Sequence, residues 1–180
     1  MNGSSMKRQF RTLTTSSVYA GKIFQVRVDQ VEEPGGVRAW REIVVHPGSV
    51  VLLPRLADGR LVLVRQFRYA AHAQLWELVA GSLEPGETIL AAARRELLEE
   101  TGFGARALRH LLSFYPSPGF LTERMHLVEA RGLTPSPAQP EADERIEVGR
   151  ATPGQLKRML SRGRICDGKT LIGILWLLRS

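Results

Sequence analysis

The feature that most constrains how this chain can fold is a helix-forming segment from Thr88 to Thr101. Within it Glu96, Glu99 and Glu100 stand at i, i+3 and i+4, which projects three carboxylates from one face of a helix. Like charges at this spacing destabilise an isolated helix by about 0.2–0.5 kcal/mol per pair, so a bound cation would relieve a real cost. Hard divalent cations take oxygen ligands, which makes the cluster a candidate Mg²⁺ or Mn²⁺ site. Ile89, Ala93 and Leu97 read as the opposite, core-facing stripe. The flanks suit a structured loop. Gly81 permits a close backbone approach, Pro85-Gly86 forms a turn before the helix, and Gly102 is a natural left-handed C-cap.

Around this helix the chain alternates between short strands and turns. Apolar and polar residues alternate from Lys22 to Asp29, Pro34-Gly35-Gly36 is a turn, and Val37–Val45 reads as the returning strand. Ser49–Pro54 and Arg60–Phe67 are apolar strands around Asp58-Gly59, a strong hairpin signal. Further strands are predicted at Leu108–Phe114, Arg124–Ala130 and Arg145–Val148, and helices at Thr152–Ser161 and Lys169–Leu178. Mixed strands with few helices and no regular βα alternation indicate an α+β fold. Residues 1–20 are expected to be a flexible lead-in and 21–180 a single domain.

Several function classes are disfavoured. No apolar run is long enough to span a bilayer, and no signal-peptide pattern follows the basic residues near the start. Cys166 is the only cysteine, so neither an intrachain disulfide nor a thiolate zinc cluster can form; a cytoplasmic protein is expected. The net charge is +7, yet residues 81–103 carry five acidic and two basic residues and are themselves negative. An acidic patch in a basic chain suits a cation bridging to an anionic small molecule. It suits a nucleic acid poorly, since no Lys/Arg stripe with interleaved aromatics is present.

Read as one string, Gly81, Glu87, Arg95-Glu96-Leu97, Glu99-Glu100 and Gly102-Phe103 resemble the Nudix box at every defined position. The resemblance implies the Nudix α/β/α sandwich with a mixed sheet, plus an N-terminal antiparallel sheet segment. It implies that Glu96, Glu99 and Glu100 hold divalent metal and that Glu87 and Arg95 pair to hold the loop on the helix. Outside the box, Val64–Arg68, Trp76–Gly81, Ser117-Pro118-Gly119 with Glu123, and Asp167–Thr170 are similar to the ADP-ribose pyrophosphatase branch. That likeness implies that the Ala80 carbonyl ligates metal and that Arg68, Glu77 and Pro118 belong to the substrate site. It also implies a homodimer built through residues 22–46, with Phe24 and Trp40 as interface candidates.

The chain departs from the branch in one place. Where a Glu-x-Glu pair is usual, aligning Ile146-Glu147-Val148 puts Glu144 on the second Glu but Ala142 on the first. Glu144, Glu141 and Glu123 therefore all stand as candidates for the general base. Arg41 and Arg65 join Arg68 as possible phosphate forks. The expected reaction is Mg²⁺-dependent hydrolysis of ADP-ribose to AMP and ribose 5-phosphate. The alternatives are another nucleoside diphosphate sugar such as GDP-mannose, or a non-catalytic Nudix-fold regulator that only binds a nucleotide.

Overall fold

The computed structural model describes residues 10–136 and 146–179, and its contacts fall into two compact units with a boundary between Pro47 and Gly48. The first unit also takes in Ser117–Glu123. It is a three-stranded antiparallel sheet of β1 (Arg11–Ala20), β2 (Gln25–Glu32) and β3 (Arg38–Val45), in that order. The strand at Arg11–Ala20 corrects the expected lead-in: it pairs with β2 from Arg11 opposite Glu32 to Ala20 opposite Gln25. Almost all of its residues are exposed, so it lacks the buried alternation that marks a strand in sequence. Ladder hydrogen bonds and β-branched threonines hold it instead. The Pro34–Gly36 turn is closed by Glu33 N–H donating to Val37 O at 2.8 Å. Ser117–Glu123 lies along the other edge of β3, where Val44 N–H donates to Phe120 O and Thr122 N–H to Val44 O.

The second unit is a mixed sheet of β4 (Ser49–Arg55), β5 (Leu61–Arg68), β6 (Ala73–Glu77), β7 (Ala80–Ser82), β8 (Phe103–Phe114), β9 (Met125–Pro135) and β10 (Glu147–Ala151). Its strand order is β10-β5-β4-β9-β8, with β6 on β5 and β7 on β4; β4 and β9 are parallel and the other pairs antiparallel. Three helices, α1 (Ile89–Thr101), α2 (Pro153–Ser161) and α3 (Gly168–Leu178), cover it. Period-two alternation divides the core. Val50, Leu52, Val62 and Val64 pack with Ala92, Ala93 and Leu97 of α1. Val51, Leu53, Leu61 and Leu63 pack with Leu156 of α2 and Ile174 of α3. Helices thus lie on both faces, which is the expected α/β/α sandwich of an α+β protein. Burial on both faces is why β4 and β5 read as unbroken apolar runs. Each such fully buried Leu or Val contributes about 1.5–3 kcal/mol.

Some boundaries differ from expectation. β8 begins at Phe103, directly after the helix cap, not at Leu108. β10 runs from Glu147 to Ala151, while Arg145 lies outside the described residues. β6 and β7 are too short to leave a periodic signal, yet β7 is what brings Gly81 beside the carboxylate helix. Among the described residues no helix is long and apolar enough to cross a membrane.

Candidate active site

The carboxylate helix is bounded at both ends by local chemistry. Thr88 is its N-cap and accepts from the Ala91 N–H at 3.2 Å. Gly102 ends it at φ +67°, donating its N–H to Leu98 O at 2.9 Å; a side chain there would strain the left-handed backbone. One expectation needs correcting. Glu96 and Glu100 do not oppose the apolar stripe; both are buried, at 9% and 7% exposure, beside Ala92, Ala93 and Leu97. At 100° per residue, Glu100 falls within the arc swept by Ile89, Ala93 and Leu97. Glu99 lies off that arc and is half-buried. Two carboxylates are thus held at the edge of the core, where charge is costly to leave uncompensated.

Arg95 supplies part of the compensation. Its Nε and Nη2 donate to the two Glu87 oxygens at 3.1 and 2.9 Å, and Nη2 also donates to Ser82 O at 3.0 Å. Its Nη1 reaches Glu96 at 2.7 Å and Glu99 at 3.1 Å. One guanidinium therefore ties the turn, β7 and the helix together. The hydrogen bonds it donates to Glu87 and then to Glu96 hold its pKa above the ordinary arginine value, and the same bond from Arg95 holds the Glu87 carboxyl below its usual range.

Gly81 closes the site from the strand side. A Cβ at this position would stand 1.8 Å from Glu96 Oε1 and 1.9 Å from its carboxyl carbon. The Glu96 carboxylate thus occupies the space a side chain would fill. Ala80 directly precedes Gly81 and offers its carbonyl on the same short strand.

A second charged cluster adjoins through Arg68, which feels the charge of Glu100. Glu77, 1% exposed, accepts from Arg68 Nε and Nη2 at 2.8 and 2.7 Å and from Lys169 Nζ at 2.5 Å. Burial works to raise its carboxyl, but these hydrogen bonds and the Lys169 charge outweigh it and hold the group below the usual range. Lys169 also pairs with Asp167 at 3.0 Å. Asp167 caps α3 by accepting from Thr170 N–H, and Thr170 Oγ1 in turn accepts from Leu78 N–H at 2.8 Å. Sequence reasoning marked the Asp167–Thr170 stretch but gave Lys169 no role. An Asp N-cap before Thr was the local signal; the partner Glu77 lies far away in the chain.

The structure therefore brings Ala80, Gly81, Glu87, Arg95, Glu96, Glu99 and Glu100 together, with Arg68 and Glu77 linked to them by charge. Arg65 is engaged elsewhere, with Glu147 at 3.5 Å and over the Trp76 ring at 5.8 Å. Arg41, Pro118 and Glu123 belong to the first unit, where Arg41 pairs with Glu33 and Glu123 faces His46 at 3.6 Å. Glu141 and Glu144 lie outside the described residues.

By its chemistry the donor set suits a hard divalent cation, although Arg95 holds Glu96 and Glu99 here and no three acidic or histidine side chains among the described residues are arranged around one point. Glu96, Glu99 and Glu100 offer carboxylate oxygens, the Ala80 carbonyl adds a neutral one, and burial of Glu96 and Glu100 favours a charge that would neutralise them. A carboxylate helix packed on one face of an α/β/α sandwich, locked by a single arginine, defines a hydrolase site. The NUDIX domain profile matches residues 45–169, and the chain belongs to the Nudix hydrolase family. It is 36% identical over 169 residues to a methanol dehydrogenase activator of Bacillus methanolicus, covering 93% of this chain and 91% of that protein. It is 35% identical, with the same coverage, to an ADP-ribose pyrophosphatase of Bacillus subtilis. An ADP-ribose pyrophosphatase of Mycobacterium tuberculosis is 33% identical over 94% of this chain and 83% of its own length. The fold is shared with the crystal structure of an ADP compounds hydrolase at a TM-score of 0.84 and 24% identity, covering 96% of this chain and 94% of that one.

Proposed function

We propose that this chain hydrolyses the pyrophosphate bond of ADP-ribose to AMP and ribose 5-phosphate, with Mg²⁺, or Mn²⁺ in its place, held by Glu96, Glu99, Glu100 and the Ala80 carbonyl. The observation that carries the hydrolytic reading is the burial of Glu96 and Glu100 with Glu96 seated against Gly81. ADP-ribose as substrate is supported by the two pyrophosphatase relatives that span most of the chain. When bound, divalent cations act as Lewis acids on phosphoryl oxygens and lower the pKa of water.

The protein's own groups do the rest. Arg95 keeps the helix and the turn in register. Arg68 gives its Nε and Nη2 to Glu77, so its Nη1 side is the one it turns to a substrate phosphate. Glu77 thus acts by fixing Arg68. Glu144, Glu141 or Glu123 takes the proton from the attacking water. Pro118 shapes the substrate loop, while Arg41 and Arg65 serve as outer cations. The chain works as a Nudix hydrolase in a cytoplasmic homodimer. The sheet of the first unit supports the dimer, because it exposes Ile23 (68%) and Trp40 (62%) alongside Phe24. A fully active monomer by light scattering would refute the assembly.

A GDP-mannose pyrophosphatase of Pectobacterium atrosepticum, 35% identical over 151 residues and matched over 77% of this chain and 76% of its own length, motivates a second reading with that substrate. The deciding experiment compares kcat/KM for ADP-ribose, GDP-mannose, ADP-glucose, NADH and nucleoside triphosphates. ADP-ribose should rank first. A tenfold preference for any other compound overturns the substrate assignment, and no turnover of any compound with saturating Mg²⁺ overturns the hydrolytic one.

A further inference from the structure

The Asp167–Thr170 turn opens α3 and has no part in the reaction proposed above, yet its contacts converge on the two residues that lead from β6 toward β7. Lys169 Nζ donates to Glu77 Oε2 at 2.5 Å. Thr170 Oγ1 accepts from the Leu78 N–H at 2.8 Å and donates to Asp167 at 2.5 Å. Further along the helix Gly173 is buried so close to Leu78 that a Cβ there would stand 2.4 Å from Leu78 Cδ1. The start of α3 therefore grips Glu77 and Leu78 by side chain, by main chain and by packing, just ahead of Ala80 and Gly81.

Glu77 is 1% exposed, and two cations meet on it. Arg68 engages both oxygens, Nε on Oε1 and Nη2 on Oε2, in the strong two-point geometry of a guanidinium and a carboxylate. One such fork already supplies a full unit of countercharge, so charge balance does not by itself call for a second cation. Geometry does. A pair joined only to each other can swing as a unit about the Glu77 side-chain torsions, and the Arg68 side chain is 42% exposed. Lys169 adds a third point of attachment from a different element, and Asp167 holds it in turn at 3.0 Å. Its side chain is 10% exposed and two of its three ammonium hydrogens face Glu77 and Asp167, which leaves it little to offer a substrate directly. Burial of Thr170, Gly173 and Ile174 fixes α3 itself, so the Arg68–Glu77 pair is anchored to the core through Lys169.

We propose that Lys169 is a positioning residue that acts through Glu77 to fix the direction of the Arg68 guanidinium, and with it the grip on the substrate diphosphate. This rests on the reading of Arg68 as a phosphate ligand. A fork that holds a phosphate equally in the ground and transition states shows in KM and not in kcat. The test is a double-mutant cycle of Lys169→Met and Arg68→Lys in the full chain, measured with the preferred compound of the substrate panel at saturating Mg²⁺ and below the unfolding midpoint of every variant. Lys169→Met should raise KM by about tenfold and leave kcat within about threefold of the parent. Arg68→Lys keeps a cation on Glu77 but loses the planar fork. In that background Lys169→Met should raise KM by less than about threefold more, because the group it positions is gone. A merely structural lysine would lower the unfolding midpoint and leave KM alone, while a lysine that touched the substrate would multiply its effect with that of Arg68. Lys169→Gln keeps a neutral donor with a shorter reach; it should fold where Lys169→Met does not, and raise KM by about threefold or more. The proposal is overturned if KM is unchanged in the folded lysine variants, if the loss falls on kcat with KM unchanged, or if the two substitutions multiply fully. A parent chain without turnover refutes the hydrolytic reading instead. The cycle is then read on the calorimetric Kd of ADP-ribose with Mg²⁺, where the same outcomes decide, and a parent that binds none at millimolar concentration overturns the positioning role as well.

Discussion

Gly81→Ala separates the chemistry of this site from its stability. The added methyl would sit 1.8 Å from Glu96 Oε1, whereas ordinary contact begins at 3.4 Å, so the carboxylate must retreat by about 1.6 Å. The obstructing atoms are the end of a flexible side chain, so the backbone of β7 need not move. Gly81 does not have a positive φ, so alanine fits its backbone and even restricts the unfolded chain, a gain of about 0.4–1 kcal/mol. Thermal unfolding should therefore stay within a few degrees of the parent protein. Turnover should not. A misplacement of about 1 Å in a catalytic constellation can cost on the order of a hundredfold, or about 2.7 kcal/mol of barrier. We expect kcat to fall by at least that factor, with the Mg²⁺ dependence shifted to higher concentration because Glu96 has moved while Glu99 and Glu100 have not. A kcat within twofold of the parent at unchanged Mg²⁺ dependence would show that Glu96 need not sit against Gly81, and the site geometry argued here would be wrong.

Three further outcomes are expected. Glu96→Gln and Glu100→Gln should each lower kcat by about a hundredfold or more while unfolding stays near normal, since losing one electrostatic stabiliser typically costs about 10²–10³; near-normal turnover in saturating Mg²⁺ sinks the metal assignment. Among the base candidates, Glu144→Gln should damage kcat most, Glu141→Gln next and Glu123→Gln least; if all three retain more than about a tenth of parental kcat, the loop-carboxylate mechanism fails. Burial acts to raise the Glu129 carboxyl, but Arg131, Arg109 and Arg55 outweigh it and hold the group below its usual 4.5, so the stability it adds is complete above pH 4.5 and is lost as the pH falls through the lower folded value. Urea midpoints from pH 7 to pH 3 should then drop less steeply for Glu129→Gln, from a lower starting stability; an equally steep acid limb would rule this out.

What the sequence by itself determined were the features written in local chemistry. Thr88, Gly102 and the Pro85-Gly86 turn bound the carboxylate helix because caps and turns are satisfied within a few residues. The apolar runs of β4 and β5 announced strands, and the spacing of Gly81, Glu87, Arg95, Glu96 and Glu100 specified a family. Tertiary structure decided the rest. The strand at Arg11–Ala20 was missed because it is held by pairing with β2 and buries almost nothing, and apolar periodicity reports burial alone. Glu100 was set opposite the core stripe, although the helical angle places it within the stripe. Lys169 had no visible role until folding carried it, distant in sequence, onto a Glu77 oxygen that also receives Arg68.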